Sequence, residues 1–207
     1  MGMSLQSPLR TGRAIAWGLC MWIALVGLTH ASAVSFSGVL DPSSEVAYDA
    51  SAGPSEAWRG VAPATLEGFT FDEEDVTRTR FEIRVATADF VSNNPLRDRS
   101  ARLVTFESGR YPFVSFLATT VATEGPVEVP AGAIRTVDVT GRLELHGVQK
   151  ILTVPVTVTR EGDALLIEGG FDVLLADYEM RAPSIWFRSV DELVRVSFDL
   201  TINLTPR

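Results

Sequence analysis

Between Thr136 and Thr159 the chain alternates apolar and polar residues. Val137, Val139, Gly141, Leu143 and Leu145 fall on one side, with Asp138, Thr140, Arg142, Glu144 and His146 on the other. Beyond Gly147 the alternation resumes, Leu152, Val154, Val156 and Val158 being set against Thr153, Pro155, Thr157 and Thr159. A period of two, rich in β-branched residues, predicts strands. Gly147 can supply the positive φ that a tight connection requires, so the two runs predict a long antiparallel hairpin with one oily and one wet face.

The same period recurs along the chain. Val34–Leu40 and Glu45–Tyr48 predict short strands, and Thr65–Phe71 another, closed by the acidic turn Asp72–Asp75. Residues 50–63 are rich in Gly, Ala, Ser and Pro and predict a loop or an irregular edge strand, with Trp58 its one large apolar residue. Thr79–Ala88 places Phe81, Ile83 and Val85 opposite Glu82 and Arg84. Phe113–Ala122 and Ala164–Leu174 read as strands, as does Glu179–Phe187, limited by Pro183. In the last strand Val194, Val196, Phe198, Leu200, Ile202 and Leu204 alternate with polar residues. One segment breaks the pattern. Asn94 followed by Pro95 is an N-cap and a first helical position, which predicts one to two helical turns over 93–103, with Leu96, Ser100 and Leu103 on one face.

Seven to nine one-faced strands with one helical interruption predict a single all-β domain, an antiparallel closed barrel of about eight strands or a sandwich. An eight-stranded barrel has an interior that side chains just fill, or that holds one small ligand. Gly141, Gly169 and Gly170 leave room for a cavity or for sharp curvature. The inward-facing set is Phe81, Ile83, Val114, Phe116, Val139, Leu143, Val154, Val156, Phe171, Val196 and Phe198. An apolar lumen and an apolar core use the same residues, and the pattern does not separate them.

The N-terminus changes how the composition is read. Arg10 and Arg13 precede an uncharged apolar run, Ala14–Leu28, and Ala31-Ser32-Ala33 follows as a small-x-small site. This predicts an export signal over 1–33, a mature domain over 34–207, and a periplasmic or secreted protein with no stable membrane insertion after cleavage. Cleavage would remove two arginines and no acid, moving the net charge from −8 to about −10, and would leave His146 the sole histidine and no cysteine. That acidity argues against a nucleic-acid partner and against electrostatic docking on anionic lipid. One histidine and no cysteine leave no zinc ligand set and no cofactor is expected.

Several short motifs occur in a telling order. Arg97-Asp98 lies in the helical insert, followed by Phe106-Glu107-Ser108, Tyr111-Pro112 and Phe116. Next come Gly141-Arg142-Leu143-Glu144-Leu145-His146-Gly147-Val148, Lys150 and Val154-Pro155-Val156, then Asp177-Tyr178, Pro183-Ser184 and the terminal Asp191–Leu200. Together they resemble the YceI-like family of exported proteins, across essentially all of Val34–Leu204. Residues 50–67 are smaller and richer in Ala and Pro than the family pattern. The resemblance implies a lipocalin-like barrel with a helical insert, holding an isoprenoid or other amphiphilic chain in an apolar lumen. It favours the lumen over the packed core.

The expected function is therefore binding rather than catalysis: a monomeric carrier or sequestering protein for an isoprenoid or fatty-chain lipid. The expected ligand residues are Phe81, Ile83, Val114, Phe116, Val139, Leu143, Val154, Phe171 and Phe198, with Arg97 and His146 for a polar end. His146 has a second reading as a turn residue bonded to its own hairpin, and Arg97-Asp98 as a pair that holds the insert. An enzyme would need titrating pairs in the lumen, and the inward positions hold almost none. A packed barrel acting as a scaffold for a protein partner is the remaining alternative.

Overall fold

The computed structural model describes residues 35–53, 56–182, 184–185 and 188–207. The expected export segment, with Cys20 and His30, lies outside the described residues, as do Pro183 and Phe187. Residues Ala33–Arg207 form one compact unit. Its strands are β1 (Ser35–Leu40), β2 (Glu45–Ser51), β3 (Ala57–Asp72), β4 (Arg80–Ala86), β5 (Phe113–Ala122) and β6 (Ile134–Leu145). They continue as β7 (Val148–Glu161), β8 (Ala164–Leu174), β9 (Ser184–Ile185), β10 (Arg188–Ser189) and β11 (Leu193–Pro206). Among the described residues there is one α-helix, α1 (Pro95–Ser100), which runs on into a wider π turn, Ala101–Thr105.

Neighbouring strands pair antiparallel from β2 through β8, and β11 closes the circle by pairing with both β8 and β2. The result is a closed eight-stranded barrel. β1 and β2 share one position in it. β2 lies between β3 and the first half of β11, whereas β1 lies between the far end of β3 and the second half of β11. Ser44 stabilises the corner between them, its hydroxyl accepting from Thr201 N at 2.9 Å.

The hairpin that dominates the sequence pairs from Ile134↔Thr159 to Leu145↔Val148 without a slip. Its two-residue loop, His146-Gly147, has φ of +54° and +78°, the double positive φ of a type I′ connection, which suits the right-handed twist of the strands.

Two expectations are corrected. The loop or irregular edge strand expected over residues 50–63 is neither over residues 57–63, which open one continuous strand, β3, paired along its start with β2, and β2 itself reaches Ser51. The inward positions of β3 are Trp58, Gly60, Ala62, Ala64 and Leu66, mostly too small to register as an apolar stripe. They are small because a large ring packs on them: a Cβ at Gly60 would lie 2.3 Å from the Tyr48 ring. Near Gly68 (φ +59°) the register with β4 shifts between Glu67 and Thr70, a bulge that resets the alternation for Phe69 and Phe71. Nor is the strand expected over Glu179–Phe187 continuous, since residues 179–182 lie in no strand. A 3-10 turn, Leu175–Tyr178, ends on Glu179 in the left-handed region, φ +55°, which turns the chain away. Among the described residues of this segment, only Ser184–Ile185 and Arg188–Ser189 pair, with each other.

Gly141 and Gly169 do not leave open space either. A Cβ at Gly141 would lie 2.4 Å from the Phe116 ring, and one at Gly169 would lie 2.5 Å from the Phe198 ring. At these two positions an aromatic ring from the adjacent strand fills the space, whereas a Cβ at Gly170 would lie 2.6 Å from Val196 O.

Candidate ligand-binding cavity

The barrel encloses an elongated cavity of about 230 Å³. Along β11 alone, Val194, Val196, Phe198, Leu200 and Ile202 all line it. At about 3.3 Å per residue that is about 26 Å of strand, or about 20 Å along the axis for a strand tilted by about 40°.

One end is closed by an arginine plug. Arg160 is buried; its Nη1 donates to Val129 O at 3.0 Å and to the Glu73 carboxylate, and its Nε donates to Gly162 O at 3.2 Å. The guanidinium lies over the Phe36 and Phe71 rings, at 5.1 and 5.8 Å from their centroids. The link between β5 and β6 folds beneath the barrel and buries Val129 completely, with Val129 N donating to Glu73 O at 2.8 Å. The acidic turn is thus part of the plug and not simply a solvated loop. Asp72, also buried, accepts from Glu74 N, Asp75 N and Arg78 Nη1.

The other end is covered by the helical insert. Asn94 caps it, its Oδ1 accepting from Leu96 N and Arg97 N. Phe106 anchors it, stacked on Phe90 at 5.2 Å and edge-on to Tyr48 at 6.0 Å. Burial pushes the Tyr48 hydroxyl above its ordinary range, so it stays neutral in the wall. Asp98 turns away from the cavity and accepts from Ser92 N and Oγ at 2.9 and 2.6 Å. Arg97 turns towards it. Its guanidinium lies 4.6 Å from the Trp58 ring centroid and 3.7 Å from Glu56 Oε1, and its buried Nε has no acceptor among the described residues. The adjacent pair therefore splits between two partners, as residues about 100° apart on a helix must.

Ten of the eleven residues singled out in the sequence line this one cavity. They are Phe81 and Ile83 on β4, Val114 and Phe116 on β5, Val139 and Leu143 on β6, Val154 on β7, Phe171 on β8, Phe198 on β11, and Arg97 on the insert. Among the described residues, Arg97 is the one charged residue of the lining. The eleventh, His146, is elsewhere, and its expected place on a wet rim beside Glu144 and Arg142 is corrected. Its positive φ ends the strand alternation and folds the ring back under Tyr111, at 4.1 Å between centroids. Its Nδ1–H donates to Tyr178 O at 3.1 Å, and its Nε2 stands 3.6 Å from Glu107 Oε1. It is 8 % exposed and pins the hairpin, the end of the insert and the Leu175–Tyr178 turn together.

The sequence reading missed part of the wall. Tyr48, Trp58, Ser100, Thr105 and Phe106 line the cavity as well, with Thr79 among its polar members. Thr79 Oγ1 and Thr105 Oγ1 are buried without a protein partner. Trp58 could have been found from the period of two through Gly60, Ala62 and Ala64. Ser100 and Thr105 carried no such signal.

The comparisons agree with this architecture. The YceI-like domain matches residues 39–202. A UPF0312 protein of Vibrio parahaemolyticus is 33% identical over 87 residues, 42% of each chain, and Protein YceI of Escherichia coli is 29% identical over 96 residues, 46% of each. The chain thus matches less than half the length of these relatives. Among solved structures, Burkholderia cenocepacia BcnA superposes with a TM-score of 0.65 at 21% identity, covering 78% of this chain and 98% of BcnA. A polyisoprenoid binding domain from Saccharophagus degradans, implicated in plant cell wall breakdown, gives 0.65 at 17% identity, covering 82% and 99%. A barrel of this topology, with the domain match spanning it from the first strand into the last, makes this chain a member of the YceI-like family.

Proposed function

We propose that the protein binds a long isoprenoid or fatty chain lengthwise in the barrel and, as an exported protein, carries or sequesters it across an aqueous compartment. The observation that supports this best is a cavity that is long, plugged at one end and lined by apolar side chains from every strand of the barrel. Burying apolar surface at about 25 cal/mol per Å² would let a chain several hundred Å² in area bind without polar contacts. Arg97, with a buried Nε and no acceptor for it among the described residues, is suited to meet a polar end of such a ligand at the insert. The name of the Saccharophagus relative, a polyisoprenoid binding domain, points the same way. Catalysis is disfavoured, because no pair of titrating side chains of opposite role lines the cavity among the described residues.

Native mass spectrometry of residues 34–207 purified from an exporting host, followed by organic extraction, tests the reading. The expected result is a stoichiometric mass excess that extracts as a prenyl or acyl compound. A ligand-free mass, together with no uptake of a long-chain isoprenoid probe, would refute it. Val139→Trp, which fills the middle of the cavity, is expected to weaken probe binding about tenfold or more while leaving the far-UV spectrum unchanged.

A further inference from the structure

The helical insert is built inside out. At about 100° per residue, and somewhat less in its wider last turn, Leu96, Arg99, Leu103 and Val104 fall on one side of it and Arg97, Ala101 and Thr105 on the other. Burial follows the same division: Leu96 is 82 % exposed, Leu103 64 % and Val104 44 %. Arg97, Ala101 and Thr105 meanwhile line the cavity, as does Ser100, which was expected on the face of Leu96 and Leu103. A helix that only closed an apolar barrel would turn its leucines in and its arginine out. Charge is distributed as unevenly as hydrophobicity. Pro95–Tyr111 holds four arginines, Arg97, Arg99, Arg102 and Arg110, against Asp98 and Glu107, in a chain of net charge −8. Asp98 is buried and bonded to Ser92, whereas Arg99 and Arg110 are exposed. The outer face of the insert is therefore aliphatic and carries Arg99, with exposed Arg110 in the turn that follows, on a protein that is acidic as a whole.

We propose that this face docks the protein reversibly on an anionic lipid bilayer. Leu96, Leu103 and Val104 enter the boundary between headgroups and acyl chains, and Arg99 and Arg110 lie against headgroup phosphates. The charge selects this occupant. A second copy docked here about a two-fold axis would set arginine against arginine, whereas an anionic bilayer supplies apolar depth and opposite charge together. Net charge alone argued against such docking, because it averages over a surface on which the arginines are concentrated in one segment. Since the same element lines the cavity on its inner side, docking would place the cavity wall against the acyl chains.

Vesicle binding by the ligand-free protein tests this independently of what the cavity holds. Residues 34–207 are the right sample, since that unit contains the whole barrel and lacks the apolar Ala14–Leu28 run. Phosphatidylcholine vesicles are compared with vesicles in which roughly one lipid in three is phosphatidylglycerol. The expected result is co-flotation with the anionic vesicles only, weakened by salt. Leu96→Ser with Leu103→Ser, and separately Arg99→Glu with Arg110→Glu, should each lower it about tenfold or more at unchanged Tm. Equal binding to both vesicle types, no binding to either, or binding undiminished in the variants would overturn the proposal. So would a dimer in solution that the leucine substitutions abolish, which would assign the face to a second copy.

Discussion

Phe198 lies flat against Gly169, its direct partner across the β8–β11 ladder, so closely that a Cβ at residue 169 would come within 2.5 Å of the ring. The ring also forms part of the cavity wall. Gly169→Ala should force it inwards, since the other near neighbour, Pro155 O at 3.1 Å, is backbone. The expected outcome is a loss of about 1–3 kcal/mol in denaturant unfolding, together with weaker binding of an isoprenoid probe. Adding Phe198→Leu should restore part of both.

Removing the plug should be costly. Arg160→Met keeps the packing on Phe36 and Phe71 but strips the Glu73 carboxylate and Val129 O of their donor. Glu73 is one-third exposed and can recover some hydration, so the expected loss is about 2–3 kcal/mol, below the range for a fully buried pair. A variant as stable as the parent would show that the plug is not under electrostatic tension. Urea unfolding monitored by tryptophan fluorescence reads the difference.

Acid should act on the turn that feeds this plug. The Thr77 hydroxyl, bonded to Asp75 Oδ1 at 2.5 Å, holds the Asp75 carboxyl below its ordinary value of 3.8, with help from Thr77 N and Arg78. A depressed folded-state pKa means the stabilisation is fully present above the ordinary value and is lost as pH falls through the folded one. Asp75→Ala should therefore cost about 1 kcal/mol at neutral pH, as a lost N-cap does. The gap from the parent should shrink and close as pH drops below the carboxylate range. A gap independent of pH would locate the effect in packing instead.

His146 gives a prediction of the opposite kind, an effect on stability without one on binding. His146→Gly relieves the positive φ but removes the bond to Tyr178 O and the contact with Tyr111. Thermal unfolding should show a net loss of about 1–2 kcal/mol, while the affinity for an isoprenoid probe stays unchanged. A change in affinity at constant stability would return this residue to the ligand site.

How legible the barrel was depended on side-chain size. Where inward positions carry Val, Leu, Ile or Phe, as in β4, β6, β7 and β11, the period of two located both the strand and the wall of the cavity. Where Gly60, Ala62 and Ala64 face in, the same period is present but apolar contrast is lost, because the bulk that fills the space sits on Tyr48 across the pair. The insert was located by Asn94 and Pro95, whose capping chemistry is local. Its orientation was not, since which face turns inward depends on a cavity that no local pattern describes. His146 was misplaced for a related reason: alternation holds only while φ stays negative, and the turn breaks it one residue early.

The shared position of β1 and β2 bears on how the chain reaches this state. Both strands complete their pairing only through β11, as in Val46↔Phe198 and Gly38↔Leu204, contacts that span most of the domain in sequence. Until β11 arrives, the edges of β1, β2 and β8 all lie open and the lumen is a cleft. Closure of loops this long makes folding slow, on the scale of milliseconds to seconds, and exposes unpaired edges to aggregation meanwhile. An apolar chain present during that interval would lie along the half-formed wall and be enclosed by the last strand, without passing beneath the insert at all.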